Sequence, residues 1–292
     1  MSYKEIFNFK EIIEENLKRI IDEHTAPETL KESMYYSLSA GGKRIRPCLM
    51  LEFYRCLGGN PDEIITFACS VEMIHTYSLI HDDLPCMDND DMRRGKPSNH
   101  KVYGETMALL AGDALLTLAF ETAADVNENI DPQRAVKAIK YIADAAGMCK
   151  MVGGQVLDLQ SEGKEITLNQ LEEIQKGKTM ALLKVNALVA CVLANADENT
   201  TELICQYCEN IGRAFQIRDD ILDVIGSQEE LGKPIGSDEQ MQKNTYVSFL
   251  GLEESQKLVD ELSLKAVNSI EKAFLLSENL KELALMLAKR TN

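Results

Sequence analysis

Apolar residues recur at spacings of three and four along almost the whole chain, the pattern of helices with one buried face. The first run is Ile6, Phe9, Ile13, Leu17, Ile20 and Ile21, interleaved with Glu11, Glu14 and Glu15. The same period predicts helices over 47–57, 64–83, 105–124, 133–150, 168–196, 200–225, 252–275 and 278–289. Pro27, Gly58-Gly59-Asn60-Pro61, Gly95-Lys96-Pro97, Asp131-Pro132 and Gly232-Lys233-Pro234 punctuate the gaps. The stretches 107–124 and 180–196 are apolar around most of their circumference, which predicts central positions in a large bundle. No segment shows the period-2 alternation and hairpin turns of a strand. The pattern predicts an all-α helical bundle. With no linker, composition shift or solenoid-length repeat, it predicts a single domain over 1–292.

Composition agrees. Of the 292 residues, 45% are hydrophobic, enough for a large core, but only 6% are aromatic and Trp is absent. Such a core is built from Leu, Ile, Ala, Val and Met, which suits helices better than sheets. The eight cysteines are scattered. Cys205 and Cys208 stand in C-x-x-C spacing, but no second pair completes a zinc site. They read as small buried hydrophobes in a reduced, cytoplasmic compartment. The N-terminal stretch is amphipathic rather than a signal peptide. The longest apolar run, Ala187 to Ala194, falls far short of the roughly 20 residues that span a bilayer, so no membrane span is expected.

Charge changes the picture more. A formal net charge of −16 excludes nucleic-acid binding, which needs a basic face. A polyanionic small substrate would need a divalent metal and a local cluster of cations. Candidates for both exist. Asp219, Asp220 and Asp223 form D-D-x-x-D on a predicted helix, where Asp219 and Asp223 point about 40° apart, one turn separated. Crowded carboxylates repel, and a hard cation would relieve them; few carboxylates plus water and phosphate is the ligand set magnesium prefers. For this cluster alone, a solvated acidic helix face is an equal explanation.

A second cluster weighs against that explanation. Asp82, Asp83 and Asp88 lie at the end of an apolar helix, followed by Asp90 and Asp91. Asp88 would sit roughly 140° from Asp83 on a straight helix. Pro85 disfavours helix at Leu84, so the helix is expected to end there and Asp88 to curl back on a turn. Two basic groups answer the acids: Lys43, Arg44 and Arg46 in a Gly-flanked turn, and Arg93-Arg94-Gly95-Lys96. Guanidinium forks suit phosphate, although surface ion pairs account for either group taken alone. No P-loop pattern is present, so nucleotide triphosphate chemistry is not indicated.

The motifs H-D-D-L-P-C-M-D-N-D-D-M-R-R-G-K-P (81–97) and F-Q-I-R-D-D-I-L-D (215–223) resemble the two aspartate-rich motifs of trans-prenyl diphosphate synthases. The blocks G-G-K-R-I-R-P (41–47), A-G-D-A-L-L (111–116), G-G-Q-V-L-D-L (153–159), G-K-T (177–179) and L-G-K (231–233) match the same family in order. The resemblance covers nearly the whole chain. The long form of the first motif resembles bacterial farnesyl and plant geranylgeranyl diphosphate synthases. It implies the isoprenoid-synthase bundle with a central cavity, usually as a homodimer.

By position, the resemblance implies that Asp82, Asp83, Asp88, Asp219 and Asp223 hold three Mg²⁺ around an allylic diphosphate. Arg93, Lys178, Lys233 and Lys243 would contact the same diphosphate. Lys43, Arg46, His75 and Arg94 would bind isopentenyl diphosphate. Thr179 and Gln216 would face the developing carbocation. Read without the family, His75 is a packed core histidine; it lies seven residues before Asp82 and so faces the same way. Ser237 and Val247 depart from common bacterial forms, which bears on closure of the site and not on the chemistry.

Product length is expected to depend on what lies beneath the allylic tail. Ser78 is one turn before Asp82, and Tyr77 is about 7.5 Å along the axis. A tyrosine there would cap the cavity after short growth, so fifteen-carbon farnesyl diphosphate is the expected product and twenty-carbon geranylgeranyl diphosphate the alternative. A terpene cyclase would not need the Lys43/Arg46 cradle. A non-catalytic regulatory subunit would carry degraded aspartate motifs, and here both are intact. The bland rival is an acidic helical scaffold with structural metal.

Overall fold

The computed structural model describes residues 8–225, 244–273 and 277–289. These residues form two compact units: 8–140 with Val192–Asn195, and 141–191 with 196 onward.

In the first unit the expected N-terminal helix is α1 (Phe9–Glu23), which buries Ile13, Leu17, Ile20 and Ile21. Ile6 lies outside the described residues. Helices α2 (Glu28–Leu38), α3 (Ile45–Cys56), α4 (Ile65–Asp82), α5 (Asn99–Tyr103) and α6 (Glu105–Ala124) follow. Asn60 starts a short 3₁₀ turn (Pro61–Ile64) into α4 by accepting the Asp62 N–H. α4 is apolar nearly all round and packs on α3 and α6, so Phe67, Ala68, Val71, Met73 and Ile74 are fully buried.

α6 corrects one expectation. Ala108, Ala111, Leu115 and Ala119 are buried, but Leu109 and Leu110 remain 45% and 48% exposed. It is central on one side only. By length and composition α6 could cross a membrane; one face of it packs on α4, and 44% of its apolar window is buried.

A second correction is a minimal antiparallel ribbon, β1 (Met92–Arg93) with β2 (Lys96–Pro97). Its turn residues Arg94 and Gly95 both have positive φ, 54° and 76°, the geometry of a tight two-residue hairpin. Two-residue strands are too short to show a period.

The chain enters the second unit within α7 (Pro132–Ala146). There α8 (Met151–Ser161), α9 (Leu168–Gln175), α10 (Ala181–Leu193), α11 (Glu198–Ile225), α12 (Tyr246–Leu250), α13 (Leu252–Ala273) and α14 (Glu278–Lys289) follow. Thr167 and Gln170 form a capping box that starts α9, and Thr245 and Ser248 do the same for α12. The core around α11 joins Leu171, Ala214, Ile217, Ile221, Tyr246, Val259 and Leu262. The continuous helix expected over 168–196 is instead broken by a π turn at Lys176–Met180. Hydrophobic period alone does not reveal a turn widened by one residue.

Candidate active site

The first aspartate cluster forms where α4 stops. Asp83 caps the helix, and the Leu84 N–H reaches back to the His81 carbonyl at 3.2 Å. The Asp88 N–H then donates to the Asp82 carbonyl at 2.9 Å, so the turn curls back as Pro85 led us to expect. Asn89, at φ 53°, completes the reversal. Asp82 and Asp88 are half-buried, whereas Asp83 is buried.

Asp83 has a dedicated partner. Arg93 Nε donates to Asp83 Oδ1 at 3.0 Å, Arg93 Nη2 bonds the same oxygen, and Nη2 also reaches Asp90 at 3.2 Å. Burial pushes the Asp83 carboxyl above its ordinary value, with Arg93 opposing. The β1–β2 ribbon is what delivers Arg93 to this position.

A cationic cluster sits one and two turns earlier on α4. His75 Nε2 lies 3.4 Å from Arg46 Nη1. Arg94 donates to the Gly41 carbonyl at 2.5 Å and lies across Gly42, where a Cβ would stand 2.7 Å from its guanidinium carbon. Gly42 takes φ +115°, a conformation in which an L side chain is strained, and leaves room for the end of Arg94. Burial disfavours the imidazolium of His75, and Arg46, Arg94, Arg44 and Arg93 add to the effect, so its pKa lies well below the usual 6.5. Lys43 is exposed.

Arg44 differs from its neighbours. It takes the left-handed conformation (φ 48°) as the N-cap of α3 and turns its side chain inward, 1% exposed. Its Nη1 donates to Glu72 at 2.7 Å, its Nε to Glu14 at 3.2 Å, and its Nη2 to the Leu38 carbonyl. Of the three cations in the Gly-flanked turn, one is thus part of the interior.

Tyr77 is 6% exposed and packs edge-on against His81, with ring centroids 5.7 Å apart. His81 itself bonds the Leu109 carbonyl at 3.0 Å and packs against Gly112, where a Cβ would stand 2.1 Å from its Nε2. Burial pushes the Tyr77 phenol up to about 12. Ser78 is half-buried and donates to the His75 carbonyl at 2.8 Å.

In the second unit the π turn carries Lys178 and Thr179, both half-buried. Lys178 Nζ donates to Asp158 Oδ2 of α8 at 2.6 Å. The two backbones touch: a Cβ on Gly154 would stand 2.2 Å from the Lys178 nitrogen, and one on Gly177 3.1 Å from the Gly154 Cα. π turns of this kind recur at functional sites. Asp158 was not singled out from the sequence, although the G-G-Q-V-L-D-L block contains it.

On α11 the second motif divides its work. Asp220 is buried; its Oδ2 accepts the Tyr246 N–H at 2.8 Å and its Oδ1 the Gln216 amide at 3.4 Å. Asp220 thereby anchors the start of α12. Asp219 is half-buried and Asp223 is 2% exposed. Lys233 and Lys243 lie outside the described residues. A cavity of about 880 Å³ in this unit is lined by Gly154, Gly177, Met180, Val185, Leu188 and Arg213, among others, but by neither Lys178 nor any aspartate of the motif.

Among the described residues, no three His, Cys, Asp or Glu side chains converge into a closed metal site. The donors present are hard carboxylate oxygens, few at each place, beside side chains suited to phosphate. That set fits a magnesium ion sharing its coordination with a diphosphate and does not fit zinc or a calcium cage.

Comparison with known proteins places these features in a family. The polyprenyl synthetase family model matches residues 27–277. The chain is 49% identical over 244 residues to a farnesyl diphosphate synthase of Geobacillus stearothermophilus, covering 83% of this chain and 82% of that one. It is 48% identical over 266 residues to a geranylgeranyl diphosphate synthase of Cyanophora paradoxa, covering 91% and 88%. Among solved structures, a geranylgeranyl pyrophosphate synthetase from Pyrococcus horikoshii Ot3 superposes with a TM-score of 0.87 at 30% identity, covering 99% and 98%.

Proposed function

The chain is a trans-prenyl diphosphate synthase of the polyprenyl synthetase family with the all-α isoprenoid-synthase fold, and from that premise we propose that it makes farnesyl diphosphate. It would join isopentenyl diphosphate head to tail to dimethylallyl and then geranyl diphosphate. Relatives of both product lengths match it almost equally, at 49% and 48% identity, so identity does not choose between them. Tyr77 carries the choice. Its ring is buried five residues before Asp82 and backed by a histidine that hydrogen-bonds the Leu109 carbonyl in the space Gly112 leaves. A bulky ring packed at that place suits a short product.

In this reading Asp82, Asp83 and Asp88, with Asp219 and Asp223, would hold Mg²⁺, three ions together with the substrate diphosphate. When bound, the metal neutralises charge that gathers on the departing diphosphate. Arg93 and Lys178 bind the same group, as would Lys233 and Lys243. Both Arg93 and Lys178 wait on carboxylates, Asp83 and Asp158, which keep their charges placed before substrate arrives. Lys43, Arg46, His75 and Arg94 orient isopentenyl diphosphate so that its terminal alkene attacks the allylic carbon. The Thr179 hydroxyl and Gln216 amide oxygen turn their dipoles to the cation. The new carbon–carbon bond leaves a cation on the isopentenyl unit; the carbon next to it gives up a proton to the released pyrophosphate and the double bond re-forms. With the alkene as nucleophile and pyrophosphate as base, no protein nucleophile or base is needed.

The chain would act as a homodimer. Leu109 and Leu110 on α6, with Val102 on α5, leave an apolar face open that a second copy would cover. The free thiols at all eight cysteines suit a reducing, cytoplasmic setting.

Product sizing tests the proposal. Purified protein given magnesium, radiolabelled isopentenyl diphosphate and dimethylallyl diphosphate is expected to yield a dominant fifteen-carbon product, and Tyr77→Ala a longer one. A dominant twenty-carbon product from the unaltered protein would overturn the role of Tyr77.

A further inference from the structure

Glu72 places a buried carboxylate beside cations that the proposed function assigns to isopentenyl diphosphate. It lies three residues before His75, one turn away on the same side of α4. His75 in turn touches Arg46 at 3.4 Å. The charge of Glu72 acts on both Arg46 and Arg94. Arg46 Nε is moreover buried without a hydrogen-bond partner, a donor in want of an acceptor. A carboxylate tethered this near competes with a free phosphate at high effective concentration.

What keeps Glu72 from that competition is Arg44. The two side chains are 1% and 2% exposed and meet at 2.7 Å. Arg44 cannot follow Glu72 elsewhere, because Glu14 and the Leu38 carbonyl hold its other nitrogens. Its left-handed backbone is the local cost of turning it inward while Lys43 and Arg46 face other ways.

We propose that Arg44 is a positioning residue of the isopentenyl-diphosphate site: it holds the Glu72 carboxylate away from Arg46 and Arg94, leaving both cations to the incoming diphosphate. The inference rests on the assignment of that site in the proposed function. Without Arg44, Glu72 would be a buried carboxylate that has lost its cationic partner. Since an unpaired buried charge is strongly unfavourable, it would turn to the nearest cations. The site would then be occupied by the protein's own anion.

Steady-state kinetics on Arg44→Gln, Glu72→Gln and the double variant test this. Arg44→Gln is expected to raise KM for isopentenyl diphosphate about tenfold or more, the equivalent of about 1.4 kcal/mol, while KM for geranyl diphosphate changes little. The double variant is expected to recover KM to within about threefold of the unaltered protein, because the competing carboxylate is gone. A merely structural Arg44 would make the double variant as poor as the single one, and that result overturns the proposal. An unchanged KM in Arg44→Gln does the same. Should Arg44→Gln fail to fold, Glu72→Gln alone decides: KM for isopentenyl diphosphate unchanged or lowered supports the proposal, and a rise of about tenfold overturns it. Unaltered protein that does not turn over isopentenyl diphosphate would sink the functional reading itself, and this inference with it. Active protein with an unrescued double variant sinks the inference alone.

Discussion

Lys178 donates its ammonium to the Asp158 carboxylate across 2.6 Å, on two backbone segments that Gly154 and Gly177 allow to touch. The contact fixes a long, flexible cation, in advance of the diphosphate that the proposed function assigns to it. Preorganised charge of this kind matters because nothing must reorganise while the leaving group develops its own. Lys178→Ala is expected to lower kcat/KM for the allylic substrate by about 10²–10³, the effect of removing one such donor. Asp158→Asn keeps the lysine but loosens its placement, for an expected loss of about tenfold. Both losses should fall on geranyl diphosphate. Equal effects on KM for isopentenyl diphosphate would contradict the assignment.

His75 ties stability to pH. Its folded pKa is well below the usual 6.5, so between the two values the unfolded chain binds a proton that the folded chain does not. Stability therefore rises with pH through that window, is fully present above 6.5, and is lost as pH falls below it. The groups facing His75 are Arg44, Arg46, Arg93 and Arg94, all cationic, with Glu72 one turn away. Urea midpoints measured at several pH values should fall on acidification, and His75→Gln should flatten the dependence. An identical slope in the variant would contradict the assignment.

The open face of α6 makes a prediction about assembly. Leu110→Lys places a charge among Leu109 and Val102, all near half-exposed. The substitution should cost the folded chain little, since it lies on a surface. Light scattering after size exclusion is expected to show a dimer for the unaltered protein and a monomer for the variant. A monomer in both cases would remove the role given to this face.

Much of the fold was legible because helices announce themselves by period. The stripe Ile13, Leu17, Ile20 and Ile21 is buried as its spacing requires. The end of α4 and the return of Asp88 followed from Pro85. The missed features share one cause: they depend on backbone states that hydrophobicity does not encode. Arg44 and Arg46 look alike in sequence, yet a left-handed φ sends one inward and leaves the other beside His75. The π turn at Lys176–Met180 falls in the polar run 175–179, where the apolar rhythm pauses between Ile174 and Met180 without revealing how the backbone crosses the gap. The ribbon that delivers Arg93 is signalled by Gly95 alone. Glu72 could have been found, because a carboxylate in an otherwise apolar helix demands a buried partner.

The account depends on both aspartate motifs serving one diphosphate. Calorimetric titration of an unreactive thio-analogue of geranyl diphosphate, with and without magnesium, tests this on Asp82→Asn, Asp219→Asn and the double variant. Each single substitution is expected to abolish most of the magnesium-dependent affinity, and the double to cost much less than the two losses summed, as groups acting as a unit do. Full magnesium-dependent binding in either single variant, or strictly additive losses, would contradict it.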